Sequence, residues 1–342
     1  MISFSNDYSE GACPEILEAL CRENYLQNDA YGCDAHCAAA AAAIKALCRR
    51  DDLDVHFLVG GTPVNLISLT AFLRPYQAAI AVDSGHIASH EAGSIEATGH
   101  KVCTISGKDG KLTPALVREV LAHHNMPEHM VQPKLVYISN STEIGTIYTK
   151  AELQELRRVC DAFGLYLYLD GARLASALTA AGSDVTLADL AQLCDAFYIG
   201  GTKNGALIGE ALVVVNDVLK TDFRYIEKQR GGMLAKGWLI GLQFEQLLQN
   251  DLYFSLARHA NAMAEKLRAG FAAHGVSFFA PSPTNQLFPI LPKKAIAALE
   301  QQYVFQFWDH VDDTHDAVRF VTSWATPEEH VDTFLLDLAK SL

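Results

Sequence analysis

Two short segments carry the strongest chemistry. In Tyr166-Leu-Tyr-Leu-Asp170-Gly-Ala-Arg173 an aromatic and aliphatic run stops abruptly at an acid, with an arginine three residues on. Ligands in open α/β sheets sit at the carboxyl ends of strands, so an acid there is placed for chemistry. It would equally serve as a helix cap. Thirty-three positions later a second run, Ala196-Phe-Tyr-Ile199, ends in Gly200-Gly-Thr-Lys203-Asn-Gly205. That separation suits one strand–helix–strand crossover of about 30 residues, which would bring Asp170 and Lys203 to the same sheet edge. A lysine amine set among small residues suits a nucleophile that must reach a carbonyl. It would also suit an exposed loop.

Two further segments follow strand-like runs. Phe57-Leu-Val-Gly60-Gly61-Thr62 precedes Pro63 and a helical pattern. Free backbone N–H groups and the helix dipole would make it a phosphate cup. The alternative is an ordinary turn with Thr62 as N-cap and Pro63 as the first helical residue. In Asp83-Ser-Gly-His86-Ile-Ala-Ser-His90-Glu91, His86 could stack on a ring, while His90 and Glu91 could move protons. The two histidines lack the intervening glutamate of a zinc helix, and no metal site is expected there. Cys33-Asp-Ala-His36-Cys37 crowds soft ligands together, but no C-x-x-C pair elsewhere in the chain completes a four-ligand site.

The elements that must position these residues follow from the hydrophobic pattern. Val55–Val59, Ala79–Val82, Leu135–Ile138, Leu165–Leu169, Ala196–Ile199 and Leu212–Val215 read as strands, with helical periodicity between several of them, as over Lys150–Phe163. This alternation predicts an α/β fold: a mostly parallel sheet covered by helices on both faces. Beyond Leu247 the pattern changes. A long helical stretch, roughly Lys236 to His274, leads into a strand-like run at Val276–Ala280. Four prolines follow (Pro281, Pro283, Pro289, Pro292), then strand-like runs at Val304–Trp308 and Val318–Trp324 and a helix from about Pro327 to Lys340. Prolines at that density disfavour a central parallel strand. The expected division is a large domain over 1–247 and a smaller C-terminal α+β domain over 248–342.

Composition narrows the function classes. Half of the 342 residues are hydrophobic, which excludes a mainly disordered chain. With 27 basic against 40 acidic residues, a nucleic-acid partner and an anionic membrane surface are not expected. No apolar run approaches the ~18 residues of a spanning helix. The first ten residues show no secretory pattern, and eight cysteines are too sparse for a disulfide scaffold. A cytoplasmic location is expected.

Taken in order, these pieces resemble the threonine aldolase family of β-eliminating lyases, enzymes of the fold-type I pyridoxal-phosphate class. The resemblance runs from Phe4-Ser5-Asn6-Asp7-Tyr8 through Ala30-Tyr31-Gly32, Gly60-Gly-Thr62, His86, Glu91-Ala-Gly93 and Ser141-Thr-Glu-Ile-Gly145. It continues through Asp170-Gly-Ala-Arg173 and Gly200-Gly-Thr-Lys203-Asn-Gly205 to Arg319-Phe-Val-Thr-Ser-Trp324. It implies that Lys203 holds pyridoxal 5'-phosphate covalently, Asp170 pairs with the pyridinium nitrogen, His86 stacks on the ring, and Gly61 and Thr62 cradle the phosphate. Arg173 and Arg319, helped by Ser5, would clamp a substrate carboxylate, which a planar guanidinium matches well.

The implied reaction is retro-aldol cleavage of a small amino acid, a β-hydroxy-α-amino acid such as L-threonine or L-allo-threonine, to glycine and an aldehyde. The base at the hydroxyl is open between His86, Glu91 and a water. Another β-eliminating lyase, a racemase or an aminotransferase on the same cofactor is the alternative. The resemblance further implies a homo-oligomer, a dimer or tetramer with shared active sites. Tyr31 and the segment Lys228–Lys236 are then candidates to reach a neighbour. One departure from the family pattern is Asn6-Asp7, where many members carry Asp-Asn or Asp-Thr.

Overall fold

A computed structural model describes residues 1–342. A two-residue strand, β1 (Ile2–Ser3), opens the chain. Seven strands then build the main sheet: β2 (Asp54–Leu58), β3 (Gln77–Val82), β4 (Lys101–Ile105), β5 (Gln132–Ser139), β6 (Tyr166–Asp170), β7 (Ala196–Gly200) and β8 (Glu210–Val214). Their spatial order is β2-β8-β7-β6-β5-β3-β4. Neighbours from β7 to β4 pair in parallel, and β8 alone runs against the rest. Strands β3 and β5 lie side by side while β4 sits outside them, so the winding direction reverses between them. Ligands bind at such a reversal, beyond the carboxyl ends of the strands. The mostly parallel α/β sheet is as the sequence predicts.

The strands form because they are buried on both faces. In β6, Leu167 and Leu169 join one apolar cluster and Tyr168 the opposite one. Each buried leucine side chain contributes about 1.5–3 kcal/mol. The helix Lys150–Phe163 starts at a capping box, with Thr149 accepting from the Glu152 N–H and Glu152 accepting from the Thr149 N–H. It ends at Gly164 in the left-handed region, at φ 63°.

The C-terminal part adds β9 (Gln286–Leu287), β10 (Ile290–Pro292), β11 (Tyr303–Val304), β12 (Gln306–His310) and β13 (His315–Val321). Strand β13 pairs antiparallel with β9, β10 and β12. The start of the chain belongs to this unit's packing. Strand β1 pairs with β11, the Val321 N–H donates to the Phe4 carbonyl, and Phe4 is buried in an aromatic cluster with Phe271, Phe320 and Phe334.

Three expectations change. The helix expected over 236–274 is two, Trp238–Leu247 and Leu252–Ala273, parted where Asn250 and Asp251 take φ of 50° and 63°. Val276–Ala280 makes a single bridge, Phe278 to Pro289, rather than a strand. Strand β4 was not expected. Its Lys101 and Thr104 are exposed at the sheet edge, which breaks the apolar run. No helix is long and apolar enough to cross a membrane.

One close approach fixes the strand ends. A Cβ on Gly171 would lie 1.7 Å from the Tyr198 carbonyl oxygen, and the Gly200 N–H donates to the Gly171 carbonyl at 3.0 Å. Backbone here meets backbone, so nothing can give way. Gly171→Ala is expected to cost about 3 kcal/mol or more by overpacking. Gly11→Ala, where a Cβ meets nothing within 4 Å, should stay within about 0.5 kcal/mol of wild type. Thermal unfolding of the two variants compares them directly.

Candidate active site

A cavity of about 410 Å³ opens beyond the carboxyl ends of β2, β3, β5, β6 and β7 and is closed from the other side by Trp308 and Arg319 of the C-terminal sheet. That volume is in the range of a small-molecule site. Of the residues expected from sequence, Gly61, Thr62, His86, Asp170, Arg173, Lys203 and Arg319 all line it. Ser5 is not on its wall, and the Ser5 N–H turns to the Ser3 hydroxyl at 3.3 Å.

Asp170 is the last residue of β6 and is 4 % exposed. The Tyr198 phenol and the Ala172 N–H (3.0 Å) donate to Oδ1, and the Tyr137 phenol (2.6 Å) and the Asn65 amide (2.9 Å) donate to Oδ2. Burial and the charge of Asp170 push both phenols well above the usual tyrosine range. They therefore stay protonated and keep donating.

His86 is placed by a short helix after β3. Its Nδ1 is 2.7 Å from Glu91 Oε1, and its N–H donates to Glu143 Oε1 at 2.9 Å. Burial alone would lower its pKa. The hydrogen bond to Glu91, with the charges of Asp170 and Glu91, outweighs that and raises it. Glu91, with a fully buried side chain, does not line the cavity and also accepts from Asn65 and Ser94. It orients His86 from behind and is not placed to meet a substrate.

Lys203 sits on the turn after β7, its Nζ 5.8 Å from the ring centre of Tyr8. Burial and the neighbouring Arg173 push its pKa down, while Asp7, Asp170 and Glu210 partly restore it. The helix Gly61–Phe72 begins directly beneath, with Gly60 rather than Thr62 as its N-cap and no side-chain cap. Its first N–H groups are thus left for an anion. A Cβ on Gly61 would stand 3.0 Å from the Tyr198 phenol oxygen.

The two arginines differ. Arg173 makes a forked pair with Asp7, Nε to Oδ2 at 2.7 Å and Nη2 to Oδ1 at 2.9 Å, and the Asn285 amide also donates to Asp7 Oδ2 at 2.9 Å. Arg319 has only neutral acceptors, Gln286 Oε1 (2.6 Å from Nη2) and Gln306 Oε1 (2.8 Å from Nη1). Burial and Arg173 push its pKa down to about 10, so it remains a cation near neutral pH with no carboxylate of its own.

Pyridoxal phosphate needs an amine, an ionised acid held at a distance from it, and an anion cup. Lys203, Asp170 and the uncapped helix start meet those needs around one cavity, with Gly61 giving the close approach. The residues fit the group.

Sequence reasoning assigned nothing to Asn65, Tyr137, Tyr198, Glu143, Glu210 or Trp308. A signal for the tyrosines was present. Tyr137, Tyr168 and Tyr198 each stand two residues before the last residue of β5, β6 and β7, a polar aromatic repeated on three neighbouring strands. Cys33, His36 and Cys37 lie elsewhere: His36 bonds to Glu245 at 2.7 Å and Cys37 to the Gly237 carbonyl at 3.7 Å.

The β-eliminating lyase family model matches residues 4–293. A low specificity L-threonine aldolase of Pseudomonas aeruginosa is 32% identical over 338 residues, covering 98% of this chain and 96% of that one. The solved structure of a Leishmania major threonine aldolase is 50% identical, covers 99% of both chains and superposes with a TM-score of 0.98. A Thermus thermophilus aspartate aminotransferase, 18% identical with a TM-score of 0.73 over 100% of this chain and 92% of that one, shares the fold.

The Asp7–Arg173 pair has a pH signature. Burial pushes Asp7 up, but Arg173, Lys203 and Asn285 together hold its carboxyl below its ordinary 3.8. A depressed folded-state pKa gives stability that is complete above the unfolded value and lost as pH falls through the folded one. Asp7→Asn is expected to cost about 3–5 kcal/mol at neutral pH, because it strands a buried guanidinium. The gap in unfolding temperature between variant and wild type should narrow below about pH 4. Circular-dichroism melts at neutral and acid pH measure it.

Proposed function

The chain belongs to the β-eliminating lyase family, and on that premise we propose that it is a pyridoxal-phosphate-dependent aldolase that cleaves L-threonine, L-allo-threonine and related β-hydroxy-α-amino acids to glycine and an aldehyde. The observation that carries the reading is Arg319: a cavity-lining guanidinium without an acidic partner, in the same cavity as Lys203. A cation left unneutralised beside a reactive amine suits a substrate that brings its own carboxylate.

Each residue has a part. Lys203, its amine depressed by burial and by Arg173, gives up its proton more readily than an exposed lysine and is available as a nucleophile. Asp170 presents a fixed negative charge to the ring nitrogen. The helix start at Gly61 and Thr62 offers N–H groups to the phosphate. Pyridoxal phosphate supplies, when bound, a sink for the electron pair released at Cα. Arg319 would hold the substrate carboxylate and so fix the orientation of Cα in the cavity, and Arg173, fixed by Asp7, lines the same cavity. His86, its Nδ1 committed to Glu91, has Nε2 free to hold or take a proton, directly or through a water. Walls of Tyr8, Trp308 and His90 limit solvent. The same site could serve β-elimination, racemisation or transamination. The naming of relatives matched along nearly their full length favours aldol cleavage.

The reading includes a homo-oligomer, dimer or tetramer, in a cytoplasmic setting. All eight cysteines are unpaired, which suits a reducing compartment. Tyr31 is 41% exposed, with Lys228 Nζ 4.2 Å from its ring centre, so the two positions expected to reach a neighbour stand together.

Purified protein supplied with pyridoxal phosphate should release glycine and aldehyde in equal amounts from β-hydroxy-α-amino acids, and Lys203→Ala should abolish release. Glycine without aldehyde, or neither product, would count against the aldolase. Arg319→Ala should raise KM for threonine by about 10- to 100-fold, the loss of one charge-assisted bond to the carboxylate. Steady-state kinetics of the two variants give both answers.

A further inference from the structure

Glu210 is a buried carboxylate of the cavity that the reaction described above does not use. It opens β8 and pairs with Gly200 at the end of β7 on one side and with Leu58 at the end of β2 on the other. It therefore stands between the turn that carries Lys203 and the start of the phosphate cup, 3 % exposed, and it lines the cavity. Its Oε2 accepts the Gly201 N–H at 2.8 Å. The turn is closed further by the Gly201 and Thr202 N–H groups on the Gly209 carbonyl, both at 3.1 Å.

A neutral acceptor, such as a glutamine carbonyl, would satisfy the Gly201 N–H equally well. A carboxylate buried in the same place carries a desolvation cost that one N–H does not offset. Two other acids nearby have stronger partners: Asp7 has Arg173, and Asp170 has two phenols and an amide. Glu210 has neither a guanidinium nor a phenol bonded to it, and it shares the cavity wall with Lys203, on the turn that its carboxyl holds.

We propose that Glu210 is a positioning residue for Lys203: its carboxyl fixes the turn that carries the lysine, and its negative charge sets how tightly the lysine nitrogen holds a proton. The proposal rests on the reading that Lys203 carries pyridoxal phosphate. The charges support it. Burial raises the pKa of Glu210, and Thr202, Gly201 and Lys203 oppose that rise. Burial and Arg173 lower Lys203, and Asp7, Asp170 and Glu210 raise it. The phenols that face Glu210, Tyr198 on β7 and Tyr253 on the helix Leu252–Ala273, are pushed up by burial and stay neutral. Tyr8 presents its ring to Lys203.

The test compares wild type with Glu210→Gln. In the protein loaded with pyridoxal phosphate, the visible absorption of the bound cofactor is titrated against pH. Removing the negative charge should move the midpoint to lower pH by about one unit. In the cofactor-free protein, the pH profile of Lys203 trinitrophenylation, read by peptide mass spectrometry, should shift in the same direction. A fully loaded Glu210→Gln protein with the wild-type midpoint, or an unchanged labelling profile, overturns the proposal. Should Glu210→Gln fail to fold, Glu210→Asp draws the charge back by one methylene, and its midpoint should still fall below wild type; equality overturns the proposal. If wild type takes up no pyridoxal phosphate, the functional reading fails, and the labelling arm still decides the role of Glu210.

Discussion

Everything at the strand ends depends on filling the acceptors of one carboxylate where little water reaches it. A buried carboxylate left without donors carries a large desolvation cost. Asp170 is held by two phenols, an amide and a backbone N–H, and those donors explain much of the surrounding sequence. The phenols come from β5 and β7, one on each side, so the sheet order itself delivers them. The amide of Asn65 bonds to Glu91 as well, at 2.7 Å, and its carbonyl takes the Tyr168 phenol at 3.0 Å. Through this one side chain the acid at the end of β6 and the histidine after β3 share a fixed frame.

The same economy of charge separates the two arginines. Both line the cavity, and residue type gives no reason to rank them. Asp7 neutralises Arg173 from the N-terminal segment, while Arg319 meets only glutamine carbonyls. Neutral acceptors orient a guanidinium without cancelling its charge. Arg319 is thus the stronger attraction for an incoming anion, and it arrives on β13, from the opposite side of the cavity to the strand ends. The site is complete only where the two sheets face each other.

What could be read from the sequence was whatever depends on local signals. Strand ends marked by Asp170 and by Gly200-Gly-Thr, the Gly-Gly-Thr cup, the helix over Lys150–Phe163 and the α/β alternation all follow from neighbours within a few residues. Asn250-Asp251 is a local signal too, two residues tolerant of the left-handed region, overridden by apolar periodicity on either side. The partners of the site residues were not legible, because they are far away in the chain. Asp7 meets Arg173 across 166 positions and Asn285 across 278. Ser5 lies two residues before Asp7, which does reach Arg173, but its own N–H is turned to the Ser3 hydroxyl. Edge strand β4 carries the weaker pattern of a half-exposed strand, and a search for continuous apolar runs passes over it.

The N-terminal segment carries a consequence for biosynthesis. Residues 2–7 pair with β11, accept a hydrogen bond from Val321 and place Asp7 on Arg173. The partners of residues 2–4 therefore lie about three hundred positions further on, while that of Asp7 lies 166 further on. Until β11 and β13 have been translated, a nascent chain that has already wound its main sheet leaves Phe4 without its aromatic nest. In that interval this segment is open to a chaperone or a protease, and the anion site waits on the translation of β13.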